Sequence, residues 1–158
     1  MARLLENIFR RVINLMIGIV SFGLSNISSI RNALDSLKVR TFLIENPEQV
    51  SKAEKILLPG VGSFNEAMKR LKESGLDKAL REAASKGIPI MGICLGMQLL
   101  ADKGYEGGET EGLGLIPGTV KRMNGDVMKL PHMGWNNLKL KQSNSVLSQA
   151  FDGIDYYF

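Results

Sequence analysis

The sequence has one cysteine, one histidine and one tryptophan, and these scarcities narrow what the chain can be. A single thiol cannot build an internal disulfide framework, which suits a reducing compartment, and a cytoplasmic location is expected. No metal site and no cofactor is expected. No charge of one sign dominates either: 20 Lys and Arg against 16 Asp and Glu leave a net charge of +4. The basic residues, such as Lys69 to Lys72 and Lys121 with Arg122, are dispersed among acids without interleaved aromatics. That pattern fits a solvated surface and excludes a nucleic-acid face. No apolar run reaches membrane-spanning length. Arg10-Arg11 precedes an apolar stretch, but Asn14 and Ser21 interrupt it and no small-residue cleavage site follows, so neither a span nor a secretory signal is expected. Internal repeats and low-complexity tracts are also absent.

What is present is an ordinary globular composition, 44% apolar with 17 glycines, in 158 residues, enough to bury one core and rich in residues for tight turns. Leu4, Leu5, Ile8, Val12 and Leu15 recur at helical spacing, so residues 1–15 read as an amphipathic extension and Met16 as the start of the domain proper. Strands and helices then alternate. Residues 17–20, 40–44 and 55–58 predict strands. Residues 27–37 predict a helix with Ile27, Ile30, Ala33, Leu34 and Leu37 on one face. Asn46-Pro47-Glu48-Gln49 is a capped helix start. Helices over 65–73 and 76–86 follow, the second closed by Gly87. The alternation predicts an α/β fold with a doubly wound, mostly parallel sheet, whose ligands bind at the carboxyl ends of its strands. The turns at 21–26, 59–64 and 92–96 all fall at that edge. Beyond Lys103 the texture changes. A loop rich in Gly and Glu spans 104–114. Strands over 119–123 and 127–130 around Asn124-Gly125 predict an antiparallel hairpin, followed by strands near 137–140 and at Tyr156-Tyr157-Phe158.

The densest chemistry lies in residues 87–102. Residues 89–93 have no polar face and are bounded by Gly and Pro, predicting a short buried strand, and 96–102 predict a helix. Cys94 sits between them, with Gly92 and Gly96 at minus two and plus two. This is the nucleophile-elbow pattern with Cys in place of Ser. So tight a strand-to-helix turn requires glycine at both flanks. The helix N-terminus favours the thiolate, and the Leu95 N–H points where an oxyanion would develop. A lone Cys among Ile, Met and Leu also fits a small buried hydrophobe, and this stretch alone leaves both readings open.

Pro59-Gly60-Val61-Gly62 closes one strand and opens a helix. The Lys-Ser/Thr of a phosphate-binding loop is missing. A second backbone donor for an oxyanion fits the position beside the elbow, with a simple tight turn as the alternative. Pro-Gly-Val-Gly-Ser-Phe at 59–64 and Gly-Ile-Cys-Leu-Gly-Met-Gln-Leu-Leu at 92–100 together resemble the class I glutamine amidotransferases. Pro-His-Met-Gly-Trp-Asn at 131–136 narrows the resemblance to the glutaminase subunit of imidazole glycerol phosphate synthase. The three motifs stand in the family's order and spacing, and the resemblance covers residues 16–158.

The resemblance implies a flavodoxin-like glutaminase fold and hydrolysis of glutamine through a cysteine thioester. It implies a heterodimer in histidine biosynthesis, in which ammonia passes through a tunnel to a barrel-shaped cyclase subunit that makes imidazole glycerol phosphate. By position, Cys94 matches the nucleophile, and Gly60, Val61 and Gly62, with Leu95, match the oxyanion donors. Gln98 and Glu106 match residues that hold the glutamine substrate, although Gln98 also fits an ordinary helix surface and Glu106 an acidic loop. Asn26, Pro131, His132, Met133, Gly134, Trp135 and Asn136 fall toward the partner and the ammonia path, with a core aromatic as the alternative for Trp135.

Two departures qualify the match. The family opens with Asp-Tyr-Gly-x-Gly-Asn where this chain has Ser21-Phe22-Gly23-Leu24-Ser25-Asn26, which leaves room for a paralogue feeding a surface-polysaccharide sugar. The family's catalytic His and Glu come in a His-Pro-Glu motif beyond the Tyr-Tyr-Phe strand. The domain is therefore expected to be incomplete at its C-terminus, with a non-catalytic cyclase-docking remnant as the alternative if the chain ends at Phe158. A cysteine peptidase or esterase-like hydrolase with the same elbow is disfavoured by Gln98 and by the want of a second histidine. In the family, the position of His132 belongs to the interface motif, so it is the weaker candidate for a base.

Overall fold

Four apolar runs pair side by side as parallel strands: β1 (Met16–Val20), β2 (Arg40–Ile44), β3 (Lys55–Gly60) and β4 (Ile90–Cys94), in the order β2-β1-β3-β4. The computed structural model describes residues 16–125, 130–141 and 151–157. The expected extension over 1–15, most of the strand expected over 127–130, and Phe158 lie outside these residues. β1 lies between β2 and β3, with Ile17 opposite both Thr41 and Lys55. β3 and β4 run in continuous register to their last residues, where Gly60 stands opposite Cys94. The chain reverses its direction of travel across the sheet between β1 and β3, the position at which doubly wound sheets open a crevice.

The helices form where the sequence caps them. α1 (Ile27–Ser36) starts at Asn26, whose Oδ1 accepts from the Ser29 N–H. α2 (Pro47–Val50) carries the expected capping box: Asn46 Oδ1 accepts from the Gln49 N–H, and Gln49 Oε1 accepts from the Asn46 N–H. α3 (Phe64–Glu73) and α4 (Leu76–Ser85) turn Phe64, Ala67, Met68, Leu71, Leu76, Leu80 and Ala83 into a core shared with Val20, Ile44, Ile56 and Leu58. Each large side chain so buried contributes roughly 1.5–3 kcal/mol. Gly87 follows α4 at φ +80, the left-handed position that glycine occupies after a helix end.

Several expectations need correction. The helix expected over 96–102 is α5 (Leu95–Leu99), and Ala101 already belongs to β5 (Ala101–Gly104). The N–H groups of Leu113, Gly114 and Leu115 donate to the carbonyls of Leu99, Ala101 and Leu100, so long-range pairing takes the carbonyls that a longer helix would use. Within the expected 104–114 loop, β6 (Thr110–Glu111) returns antiparallel to β5. β7 (Ile116–Val120) pairs parallel with β5, and Lys121 to Asn124 form no strand, so the expected strand over 119–123 is displaced toward the N-terminus. The strand near 137–140 is β8 (Trp135–Asn137), antiparallel to β9 (Asp155–Tyr157). On α1, Ile27, Ile30 and Leu34 are half-buried, whereas Ala33 is exposed and Leu37, expected on the same face, lies past the helix end and is exposed. β4, expected to be buried, leaves Met91 54% and Ile93 37% exposed, because among the described residues β3 is its one strand neighbour.

The chain divides into two compact units, with the boundary between Lys121 and Arg122. The first holds the β2-β1-β3-β4 and β6-β5-β7 sheets, and the second the β8–β9 pair.

Candidate active site

The site is built from the carboxyl ends of β1, β3 and β4. Cys94 ends β4 at φ +55 and ψ −121, outside the regions an L-residue prefers, and it is exposed. Such strain persists only where the surroundings over-determine it. Here the surroundings are glycines. A Cβ on Gly92 would collide with the Met97 backbone, and one on Gly96 would collide with the Leu58 carbonyl oxygen. The elbow therefore needs glycine on both flanks for two separate contacts, one within the turn and one against β3. Gly60 completes the packing, since a Cβ there would lie 3.0 Å from the Gly96 nitrogen. α5 starts at Leu95, which is buried, and its first N–H groups have no partner within the helix. Gln98 lies on α5, half-buried.

The turn after β3 runs from Gly60 to Ser63, with Val61 half-exposed and Gly62 at φ +98. Its orientation is set by the turn after β1: the Val61 N–H donates to the Leu24 carbonyl at 2.8 Å. At its other end the turn enters α3. The Ser63 side chain does not cap that helix and donates instead to Asn65 Oδ1 at 2.9 Å. The first helical N–H, that of Phe64, donates to Glu106 Oε2 at 2.9 Å. Cys94, Gly60, Val61, Gly62, Leu95 and Gln98 thus lie on β3, β4 and the turns and helix that continue them, and Glu106 is joined to the same turn by its carboxylate. Leu24 and Phe64 act through backbone atoms that residue type does not advertise. Their one sequence signal was the convergence of the strand-end turns.

The remaining expected residues are distributed differently. Asn26 caps α1 at the end of the β1 turn. Pro131 to Asn136 belong to the second unit and follow a cis Leu130–Pro131 peptide. Trp135 is exposed and meets the Tyr157 ring edge-on at 5.8 Å, so it is not a core aromatic. His132 is also exposed.

Exposed ion pairs lie on α3 and across the connection between β5 and β6. A hydrogen bond from Arg70 holds the Glu66 carboxyl below the usual range. Lys103 does the same for Glu109, whose carboxylate in turn raises the Lys103 ammonium. Among the described residues there is no His, Cys, Asp and Glu cluster able to hold a metal ion, and no helix is long and apolar enough to cross a membrane. The shallow cavities beside Ile88 include none of the site residues. A strained exposed thiol, flanked by helix-start N–H groups and a glycine turn, is suited to attack a carbonyl carbon and hold the oxyanion that results.

Residues 19–130 match the model of the CobB/CobQ-like glutamine amidotransferase domain. The chain is 42% identical over 143 residues to the imidazole glycerol phosphate synthase subunit HisH of Oceanobacillus iheyensis, across 90% of this chain and 71% of that protein. It is 44% identical over 145 residues to subunit HisH 1 of Campylobacter jejuni, across 90% of this chain and 72% of the relative. A crystal structure of a glutamine amidotransferase superposes with a TM-score of 0.56 at 21% identity, covering 63% of this chain and 52% of that one, a likeness of fold. The chain belongs to the glutamine amidotransferases, in the family of the glutaminase subunit of imidazole glycerol phosphate synthase, and so to the enzymes of histidine biosynthesis.

Proposed function

We propose that the protein hydrolyses glutamine through a thioester on Cys94 and delivers the ammonia to a cyclase partner that makes imidazole glycerol phosphate. The observation that carries this reading is the strained φ of Cys94 at a strand end whose register neighbour is Gly60. The thiolate attacks the carboxamide carbon of glutamine, forming a C–S bond and an oxyanion. Collapse of that intermediate breaks the C–N bond, and the nitrogen leaves as ammonia after taking up a proton. Water then cleaves the thioester to release glutamate and the thiol.

The oxyanion donors in this reading are the Leu95 N–H and an N–H of the Gly60–Gly62 turn. Removing one such donor in comparable sites costs about 2.7–4 kcal/mol of transition-state stabilisation. The Val61 N–H is engaged by Leu24, so the turn as described is a resting arrangement, and its peptide must rotate before Val61 can serve. Gln98 and Glu106 hold the α-substituents of glutamine. Asn26 and Pro131 to Asn136 face the partner, and His132 belongs to that face and is not the base. Ammonia released into water would be protonated and lost, so transfer requires a path shut against solvent, through a tunnel into the barrel-shaped cyclase.

The test is to assay glutamate release and cyclase product formation by the complex with wild-type protein and with Cys94→Ala. The variant is expected to lose glutamine-dependent activity and to leave product formation from added ammonium salts intact. Glutamate release by the variant would remove Cys94 from the nucleophile's role.

A further inference from the structure

We propose that Glu106 is a positioning residue, tying the substrate's ammonium group to the oxyanion turn through the N–H of Phe64. The proposal deepens the reading above and rests on it: Cys94 as nucleophile, the Gly60–Gly62 turn as oxyanion donor and Glu106 beside the substrate's α-amino group. Glu106 lies in the exposed connection between β5 and β6, 42 residues beyond Phe64 in sequence, and its Oε2 accepts from the Phe64 N–H at 2.9 Å. An exposed carboxylate needs no such partner. The helix start does need one, because the Ser63 side chain makes no capping bond.

The same connection grips the neighbouring residues. The Asn65 side-chain amide donates to the Gly107 carbonyl at 3.4 Å, while Asn65 Oδ1 accepts from the Ser63 hydroxyl. A Cβ on Gly107 would collide with the Asn65 amide, and one on Gly104 would strike the Phe64 ring at 2.5 Å. Phe64 itself is fully buried. Its ring, its N–H and the residue after it are thus all held by residues 104–107. The other end of the turn is fixed at Gly60, in the β3–β4 ladder. Only Val61, Gly62 and Ser63 lie between these anchors, so the position of Phe64 decides which peptide orientations the turn can reach.

A carboxylate has two oxygens and about four acceptor positions, so the bond from Phe64 leaves room for a cation. An ammonium group on the same carboxylate restricts its rotation and stiffens the tie to Phe64. Binding the α-amino group of glutamine then favours one arrangement of the turn, and Glu106 affects turnover as well as affinity.

The experiment is steady-state glutaminase kinetics of the cyclase complex carrying Glu106→Gln, Glu106→Ala or Asn65→Ala, with Cys94→Ala alongside. Glutamine at position 106 keeps an acceptor for Phe64 and loses the charge, whereas alanine loses both. KM should rise in both Glu106 variants. The kcat of Glu106→Ala should fall below that of Glu106→Gln by about threefold, the worth of the one neutral hydrogen bond from Phe64 that glutamine keeps and alanine loses. Asn65→Ala should lower kcat by at least about threefold with KM for glutamine unchanged, since the neutral hydrogen bonds of its side chain with Gly107, Ser63 and Glu66 are lost and no substrate contact is touched. Iodoacetamide alkylation of Cys94 at the wild-type rate reports an intact elbow in each variant. Equal kcat in the two Glu106 variants, high or low, overturns the proposal while leaving the nucleophile reading standing. Glutamate release by Cys94→Ala overturns the nucleophile reading itself.

Discussion

The N–H of Val61 donates to the carbonyl of Leu24 across 2.8 Å, joining the turn after β3 to the turn after β1. A backbone hydrogen bond at a solvent-facing edge is worth about 0.5–1.5 kcal/mol net, which is small enough for binding at a partner surface to break. Gly62, at φ +98, allows the peptide to adopt either orientation without the penalty a side chain would bring. The glutaminase is therefore expected to be slow while the Leu24 bond persists, and marked acceleration should follow once the cyclase binds its own ligand. Glutamate release by the isolated protein, the complex, and the ligand-loaded complex measures this. Equal turnover in all three would show that the Leu24 bond does not restrain the site.

Strain at Cys94 gives a second prediction. A non-glycine residue held at φ +55 costs of order 1–3 kcal/mol. Glycine at this position relieves the strain but adds about 0.5–1 kcal/mol of unfolded-state entropy. Cys94→Gly should therefore be about 1 kcal/mol more stable than wild type, and Cys94→Ala, which keeps the strain, should match wild type. Both should be inactive with glutamine. Urea unfolding of the three proteins provides the comparison. A glycine variant less stable than the alanine variant by the whole entropic cost of about 0.5–1 kcal/mol would mean that the elbow stores no strain.

Gly96 carries the tightest contact of the elbow. A Cβ there would overlap the Leu58 carbonyl oxygen, a backbone atom of the central sheet that cannot swing aside. Gly96→Ala is expected to destabilise the protein by at least about 3 kcal/mol, at the upper end of overpacking costs. Gly108→Ala is the control: its φ is +112 but no atom lies within 4 Å, so only the local conformational cost, of order 1–3 kcal/mol, applies, without a clash. Thermal or urea unfolding of both variants should separate them, and a Gly96→Ala protein as stable as Gly108→Ala would contradict the packing argument.

The elbow was legible because its requirement is local: Gly92, Cys94 and Gly96 meet their neighbours within a few residues or on the adjacent strand. The sheet was legible because a helical segment separates each strand from the next, and a helical crossover returns the chain as a parallel neighbour. What stayed hidden depended on distant segments. Leu100 to Asp102 continue a helical pattern, and the N–H groups of Leu113 to Ile116 end it by taking the carbonyls of Leu99 to Ala101. Residues 90–93 have no polar face, yet Met91 and Ile93 are exposed, because burial depends on what covers a strand as well as on its composition. The ties from Val61 to Leu24 and from Phe64 to Glu106 use backbone groups that every residue carries, so no side-chain pattern marks them.

The loop that carries Glu106 is closed by an ion pair with a predictable pH range. Lys103, in β5, donates to Glu109, one residue before β6, so the pair brackets Tyr105 to Gly108. The hydrogen bond from Lys103 lowers the Glu109 carboxyl below its ordinary 4.5. The stability this carboxylate contributes is thus fully present above pH 4.5 and is lost as pH falls through the lower folded value. The bond to Glu109 raises the Lys103 ammonium above its ordinary 10.5, so its contribution is full below that pH and is lost as pH rises through the higher folded value. Between these limits the pair is constant. Both side chains are about half-exposed, so the effect is modest and weakens with salt. The difference in unfolding stability between wild type and Glu109→Gln should be flat from about pH 5.5 to 9.5 and shrink as the carboxylate protonates below pH 4.5. Amide exchange of Tyr105 to Gly108 should quicken over the same acid range. A stability difference that persists unchanged at pH 2, or that grows on acidification, would show that the pair does not close this loop.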